Sequence, residues 1–313
     1  MAALLLACTG SIRAANWDYR VLEVKPNVFV WKPQNILEMN GEPAFNRATN
    51  SGFVMTSGGV LVVDTSNTPS HARSILYEIR QRTSEPVVDV VNTDSSPART
   101  LGNETFADLE PSIIATSAAA ALIRKYDAAY PTRLDQDPLL AVRMRGFHPT
   151  SPNKTFDHEM DLTLGGEQIR VIELGDCTSP GDAAVFLPRA KVVFLGGAFE
   201  NGYFPHIGPG NIRRWIATLK KVETWGADVF IPGNGAPGSR EDVENFRRFL
   251  KWLESGVEAG IQRKETLGQI ENALVPFENY PWRAPELQKR DVEAVYRQLN
   301  PAPAHQAAKP QTH

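Results

Sequence analysis

Five residues constrain this chain more than any others: Val87-Val-Asp-Val-Val91, an almost unbroken β-branched run that ends at once in Asn92-Thr93. A run this short and apolar reads as a strand covered on both faces, the kind found in sheets layered with helices. Its surroundings agree. Ser51 to Thr65 holds Gly52-Phe-Val-Met and Gly59-Val-Leu-Val-Val-Asp64 about a Ser57-Gly58-Gly59 turn, which predicts a hairpin. A helix is expected over Pro69 to Arg82, with Ile75, Leu76 and Ile79 at helical spacing behind a Ser70 cap. The plan then repeats: strands at Gln168 to Leu174, Ala183 to Leu187 and Val192 to Leu195, a helix from Asn211 to Trp225, and a strand from Asp228 to Ile231. A long helix follows from Arg240, with Val243, Phe246, Phe249, Leu250 and Leu253 on one face. Strand clusters alternating with helices predict an α/β molecule of helix-covered sheets.

Composition narrows the class. The 313 residues carry 33 basic and 36 acidic side chains, a net charge of -3 that offers no broad basic field for nucleic acid or anionic membrane. At 42% hydrophobic the chain is too apolar for disorder, and it is long enough for a substantial core. Six His and two Cys, Cys8 and Cys177, exclude a disulfide framework and a cysteine-rich zinc module.

The ends are read apart from the fold. Residues 2–8 are apolar, and Ala14-Ala15 offers a small-residue cleavage site, so residues 1–15 are expected to be the remnant of an export signal beginning upstream of Met1. Leu5-Leu-Ala-Cys8 also resembles the box before a lipidated bacterial cysteine, which would place the protein in the periplasm or on a lipid anchor. A frayed apolar terminus and a cytoplasmic protein are the alternative. No stretch approaches the roughly 18 apolar residues of a membrane span. The expected divisions are a domain over 19–260, a helical extension over 261–299 with Leu287, Val292, Val295, Tyr296 and Leu299 on a helix from about Ala284, and a disordered tail over 300–313.

A series of motifs carries a resemblance. They are Asn50-Ser-Gly-Phe-Val, Gly58-Gly-Val-Leu-Val-Val-Asp-Thr, Val90-Val-Asn-Thr with a Pro97 loop and Thr100-Leu-Gly-Asn103, Ser179-Pro-Gly-Asp182, Val193-Phe-Leu-Gly196 and Ile231-Pro-Gly-Asn-Gly235. In order and spacing, from Tyr19 to about Leu299, the sequence resembles the metallo-β-lactamase superfamily. The resemblance implies an αββα sandwich of two mixed β-sheets flanked by helices, with a zinc-dependent hydrolytic site built from loops at one edge.

The residues at the implied metal positions do not match that chemistry. Where the family reads His-x-His-x-Asp-His, this chain has Asp94, Ser96, Ala98 and Arg99. The third histidine of the first metal becomes Thr178, the bridging aspartate Gly197, and the last histidine Asn234. Zinc takes imidazole, thiolate or carboxylate and needs three protein ligands even in an open site. Of the seven replacements only Asp94 is a good ligand, while Arg99 brings a permanent cation. No zinc and no other cofactor is therefore expected, and with it no metal-activated water. The expected role is a non-hydrolytic pseudoenzyme that binds a small molecule, such as an anionic ligand, or a protein.

Two alternatives stand beside it. One is a hydrolase of an ester, lactone, thioester or lactam using a repurposed site, with Asp94, Cys177 and Asp182 as catalytic candidates and Asp176 nearby. The other is a structural partner of an intact paralogue. Candidate ligand-binding residues are Asp94, Ser96, Arg99, Thr178, Asn234 and His206; His148 and His158 qualify by residue type alone. Arg99 and Asp94, on one short loop, are expected to meet across the former metal position, as an internal ion pair or as an anion receptor. Two further matches are set aside. Gly233 to Gly238 fits G-x-G-x-x-G without the second parallel strand, and Ser151 to Lys154 fits S-x-x-K without its companion motifs.

Overall fold

The computed structural model describes residues 19–34, 48–144, 147–274 and 288–301. The leader with Cys8, and the tail from residue 302 with His305 and His313, lie outside them. Among the described residues no helix is long and apolar enough to cross a membrane.

The first sheet has seven strands in sequential order: β1 (Tyr19–Lys25), β2 (Val28–Pro33), β3 (Ser51–Thr56), β4 (Gly59–Val63), β5 (Val87–Val91), β6 (Ser112–Thr116) and β7 (Lys154–Phe156). β1 to β4 form an antiparallel meander; β4 to β7 run parallel. The predicted hairpin is present, with Thr56 opposite Gly59, and Gly59 takes φ of 127°, a conformation open to glycine at little cost. The second sheet follows the order β12 (Val229–Asn234), β11 (Val192–Glu200), β10 (Asp182–Leu187), β9 (Glu167–Gly175), β8 (Glu159–Leu164), antiparallel except for the β11–β12 pair.

The sheets pack face to face through Val30, Val54, Leu61, Val63 and Val91 on one side and Ile169, Val171, Val185, Phe194 and Ile231 on the other. A Cβ on Gly52 would lie 2.2 Å from Phe194 Cε1, so the missing side chain admits this ring between the layers. Outside the first sheet lie α1 (Pro69–Arg80), the short α2 (Pro97–Thr100) and α3 (Asn103–Ala107), and α4 (Ser117–Gln136) with α5 (Pro138–Arg143). Outside the second lie α6 (Ile212–Val222) and α7 (Arg240–Gln262), and α8 (Leu267–Ala273) and α9 (Gln288–Leu299) contribute Ile270, Val292 and Val295 to the same apolar cluster. The architecture is α/β, an αββα sandwich of two mixed sheets flanked by helices, as the motifs implied.

Two local expectations need correction. Helix α1 is capped by Thr68, whose side chain accepts from His71 N, not by Ser70, which lies inside the first turn. Strand β11 runs on to Glu200, five residues beyond the expected Leu195, because Gly196 and Gly197 continue the strand next to β12 instead of ending it.

Candidate functional site

The site forms where strands of both sheets run out at one edge, the usual location for function in layered α/β folds. β4 delivers Asp64, β5 delivers Asn92 to Asp94, the β9–β10 turn delivers Asp176 to Asp182, and β11 and β12 end at Glu200 and Asn234. Backbone bonds close this edge: Asp64 N donates to Val91 O at 2.8 Å, Ala183 N to Thr93 O at 2.7 Å and Asn50 N to Gly233 O at 2.8 Å.

Arg99 lies at the centre, 5% exposed. Ser96 caps the one-turn helix that carries it, its Oγ accepting from Ala98 N at 3.3 Å. The guanidinium faces three carboxylates: Nη1 is 3.0 Å from Asp94 Oδ2, Nη2 is 3.6 Å from Glu200 Oε1, and Nε is 3.9 Å from Asp64 Oδ2. Arg99 and Asp94 thus meet as their sequence positions suggested, as members of a larger cluster. Charge and proximity rather than aligned hydrogen bonds hold it, since Arg99 Nε and Asp94 Oδ2 have no hydrogen-bond partner among the described residues. Burial alone would lower the Arg99 pKa, but Asp94, Glu200, Asp64 and Asp182 together raise it, so the cation is permanent.

Two glycines make the space. A Cβ on Gly197 would come within 2.9 Å of Asp94 Oδ2 and 3.1 Å of Arg99 Nη2, and one on Gly233 within 2.4 Å of Arg99 Nη2. The glycine at 197 and the guanidinium of Arg99 are therefore sterically coupled.

The carboxyls outnumber the cation, and burial sets their titration. Desolvation raises the Glu200 pKa to about 8 against the pull of Arg99 and of the Asn234 hydrogen bonds. Asp64 and Asp182 also rise through burial, Asp94 adding to both, although Arg99 opposes the shift at Asp64 and hydrogen bonds oppose it at both. Asp64 accepts from Thr93 N at 2.8 Å and from Thr93 Oγ1 at 2.7 Å, and adopts φ of 58° to do so.

The remaining predicted residues hold loops in place. Asp182 accepts from Thr178 N at 2.6 Å, Thr178 Oγ1 at 2.8 Å and Ser179 Oγ at 2.7 Å, so both oxygens serve the turn. Cys177 is 1% exposed, and burial pushes its thiol well above the ordinary range, the opposite of an activated nucleophile. Asp176 is paired with Arg214. His206 lies beside the site with part of its surface exposed; desolvation of the rest, then the Arg290 and Arg99 cations, lower its pKa to about 4. His148 is exposed away from the cluster, and His158 is exposed with its Nδ1 3.5 Å from Glu173 Oε2.

Sequence reasoning missed Glu200 and the part played by Asp64. The signal for Glu200 was an acid three residues after Gly197 in an apolar run, and for Asp64 an acid closing a buried strand. The group the family implies does not fit the residues present. Among the described residues no set of three or more His, Cys, Asp or Glu side chains is placed to hold a metal ion. Asp94 Oδ2 and Glu200 Oε2 are buried without hydrogen bonds, but two carboxylate oxygens fall short of a zinc site, and Arg99 lies against both side chains.

Comparison with known proteins places this geometry. The chain is 24% identical over 234 residues to the linear primary-alkylsulfatase of Pseudomonas sp. (strain ATCC 19151), covering 62% of this chain and 43% of that one. It is 21% identical to the type 2 metallo-β-lactamase of Elizabethkingia meningoseptica, covering 66% and 74%. Among solved structures, the stereoselective inverting sec-alkylsulfatase Pisa1 from Pseudomonas sp. superposes with a TM-score of 0.67 at 18% identity over 90% of this chain and 50% of that one. A metallo-β-lactamase from Pontibacter korlensis does so at 0.59 and 17% identity over 74% of this chain and 99% of that one. The chain thus spans half or less of the length of these alkylsulfatases. Residues 45–234, more than half of the chain and including every loop that meets at Arg99, match the metallo-beta-lactamase superfamily domain, and the chain belongs to that superfamily.

Proposed function

We propose that this chain is a metal-independent, non-hydrolytic member of the superfamily, in which Arg99 ties together loops that hold zinc in its catalytic relatives. The retained scaffold then serves to bind a small molecule or a protein. One observation carries the reading: a buried guanidinium lies among Asp94, Glu200 and Asp64, with Gly197 leaving room for it. A permanent cation so placed opposes a dication electrostatically and occupies its volume. The same burial argues against Arg99 as an anion receptor, since an incoming anion would have to displace carboxylates already paired with it.

Hydrolysis by a repurposed site is the second reading, favoured by the alkylsulfatase and β-lactamase relatives. Its candidates are poorly equipped. Cys177 is buried with a raised pKa, Asp182 spends both oxygens on Thr178 and Ser179, and Asp94 faces Arg99. A structural partnership with an intact paralogue, and an exported or lipid-anchored location, remain compatible proposals. The test is zinc content by elemental analysis of purified protein, with hydrolysis assays on primary and secondary alkyl sulfates, a cephalosporin, a lactone and a thioester. We expect substoichiometric zinc and no turnover above the blank; stoichiometric zinc with chelator-sensitive turnover would overturn the reading.

A further inference from the structure

A second polar site lies between α9 and the Ile207–Gly210 loop. Arg290, Glu293, Ala294, Arg297 and Gln298 recur at the i, i+3, i+4, i+7, i+8 spacing of one helix face and line a cleft of about 400 Å³ against Ile207, Gly208, Pro209 and Gly210. The opposite face of α9 buries Val292 and Val295. The loop is fixed against the Cys177 turn: a Cβ on Gly210 would fall 1.9 Å from Cys177 O, so nothing larger than glycine fits there.

The donors in this cleft are unsatisfied. Among the described residues Arg290 Nε and Nη2 are buried without a hydrogen-bond partner, and so is Gln298 Nε2. Nε and Nη2 form one edge of the guanidinium, the fork that receives two oxygens of a carboxylate, sulfate or phosphate in parallel. The Gln298 amide is not free to turn over. Its Oε1 accepts from Ile212 N at 3.0 Å, which fixes Nε2 as the remaining donor. Two carboxyls stand near the Arg290 charge. Glu293 is paired with Arg297 one turn along; Asp291, whose pKa burial raises and Arg290 opposes, accepts at Oδ1 from Ile207 N at 3.4 Å, and its Oδ2 is buried without a hydrogen bond among the described residues. Buried donors without acceptors are costly, which favours an acceptor group brought to these side chains.

We propose that this cleft binds a small oxyanion, a carboxylate, sulfate or phosphate group, on the Nε–Nη2 edge of Arg290 with the Gln298 amide as third donor. Its volume suits a small molecule carrying such a group. The proposal does not rest on the state of the Arg99 cluster, and holds whether or not that cluster is hydrolytic.

The experiment titrates the full chain at low ionic strength with inorganic sulfate, inorganic phosphate and hexanoate, with sodium chloride as the ionic-strength control, by calorimetry and NMR. Saturable binding of at least one probe at one site per chain is expected, with shifts in the Gln298 side-chain amide and Arg290 Nε resonances of the unaltered protein. Arg290→Gln and Gln298→Glu should each weaken binding by about tenfold or more, the loss of one charge-assisted contact, while Arg290→Lys keeps the charge, loses the fork and falls between. Arg189→Gln, on the exposed β10–β11 turn, should change nothing. Absence of saturable binding by all three probes, an equal response to chloride, or binding unaltered in Arg290→Gln would overturn the proposal. Should the Arg290 and Gln298 variants fail to fold, the resonance shifts of the unaltered chain decide.

Discussion

Arg99 illustrates how one buried cation depends on its neighbouring carboxylates. A buried guanidinium is tolerated when carboxylates surround it, and removing one partner leaves buried charge without compensation, at a cost of about 3–5 kcal/mol. Arg99→Met should therefore lower the unfolding free energy in urea by an amount of that order, with Arg99→Lys recovering little because an ammonium cannot reach three separated acids. Gly197→Ala, which brings a Cβ against both Asp94 and Arg99, should cost about 1–3 kcal/mol by overpacking. The titration behaviour has a definite sign. Glu200 holds its proton in the folded state up to about pH 8, while the unfolded chain releases it near pH 4.3, so folding takes up a proton between these values. Its contribution to stability is full below the unfolded pKa and is lost as pH rises through the folded one. Relative to the parent, Glu200→Gln should thus become progressively more stable from pH 5 to pH 9; urea midpoints measured in parallel check this, and a constant difference would count against it.

Elements were legible in proportion to how local their determinants are. The β3–β4 hairpin, the buried β5 strand and the amphipathic α6 and α7 follow from turn glycines and apolar spacing, and each is present. The end of β11 was not legible, since Gly196 and Gly197 signal a break in isolation and only the neighbouring β12 and Arg99 explain their continuation as strand. The same limit applies to the site. The positions that the resemblance implied could be read one by one along the chain, but Glu200 enters the cluster through the pairing of β11 with β12, which residue spacing does not announce. Trp215 tests how firmly this edge is backed. It is fully buried on α6, donates from Nε1 to Ala198 O at 2.8 Å and meets Phe246 edge-on. Trp215→Ala should cost about 3–5 kcal/mol, measured by equilibrium unfolding, with the loss falling on the β11 segment that carries Gly197 and Glu200.

At the scale of the whole molecule, the αββα sandwich is complete around a site with Arg99 at its centre. Two inner sheet faces form one apolar layer, and neither that layer nor the helices outside it depend on a metal. Under the function proposed above, Arg99 supplies at this edge the positive charge, joining loops from both sheets, that a metal would otherwise bring. Crystals of the full chain grown with excess zinc and measured at the zinc absorption edge test this most directly. Arg99 should stay seated among Asp94, Asp64 and Glu200 with no anomalous peak between them; a zinc peak bounded by those carboxylates, with Arg99 turned away, would contradict a metal-independent site.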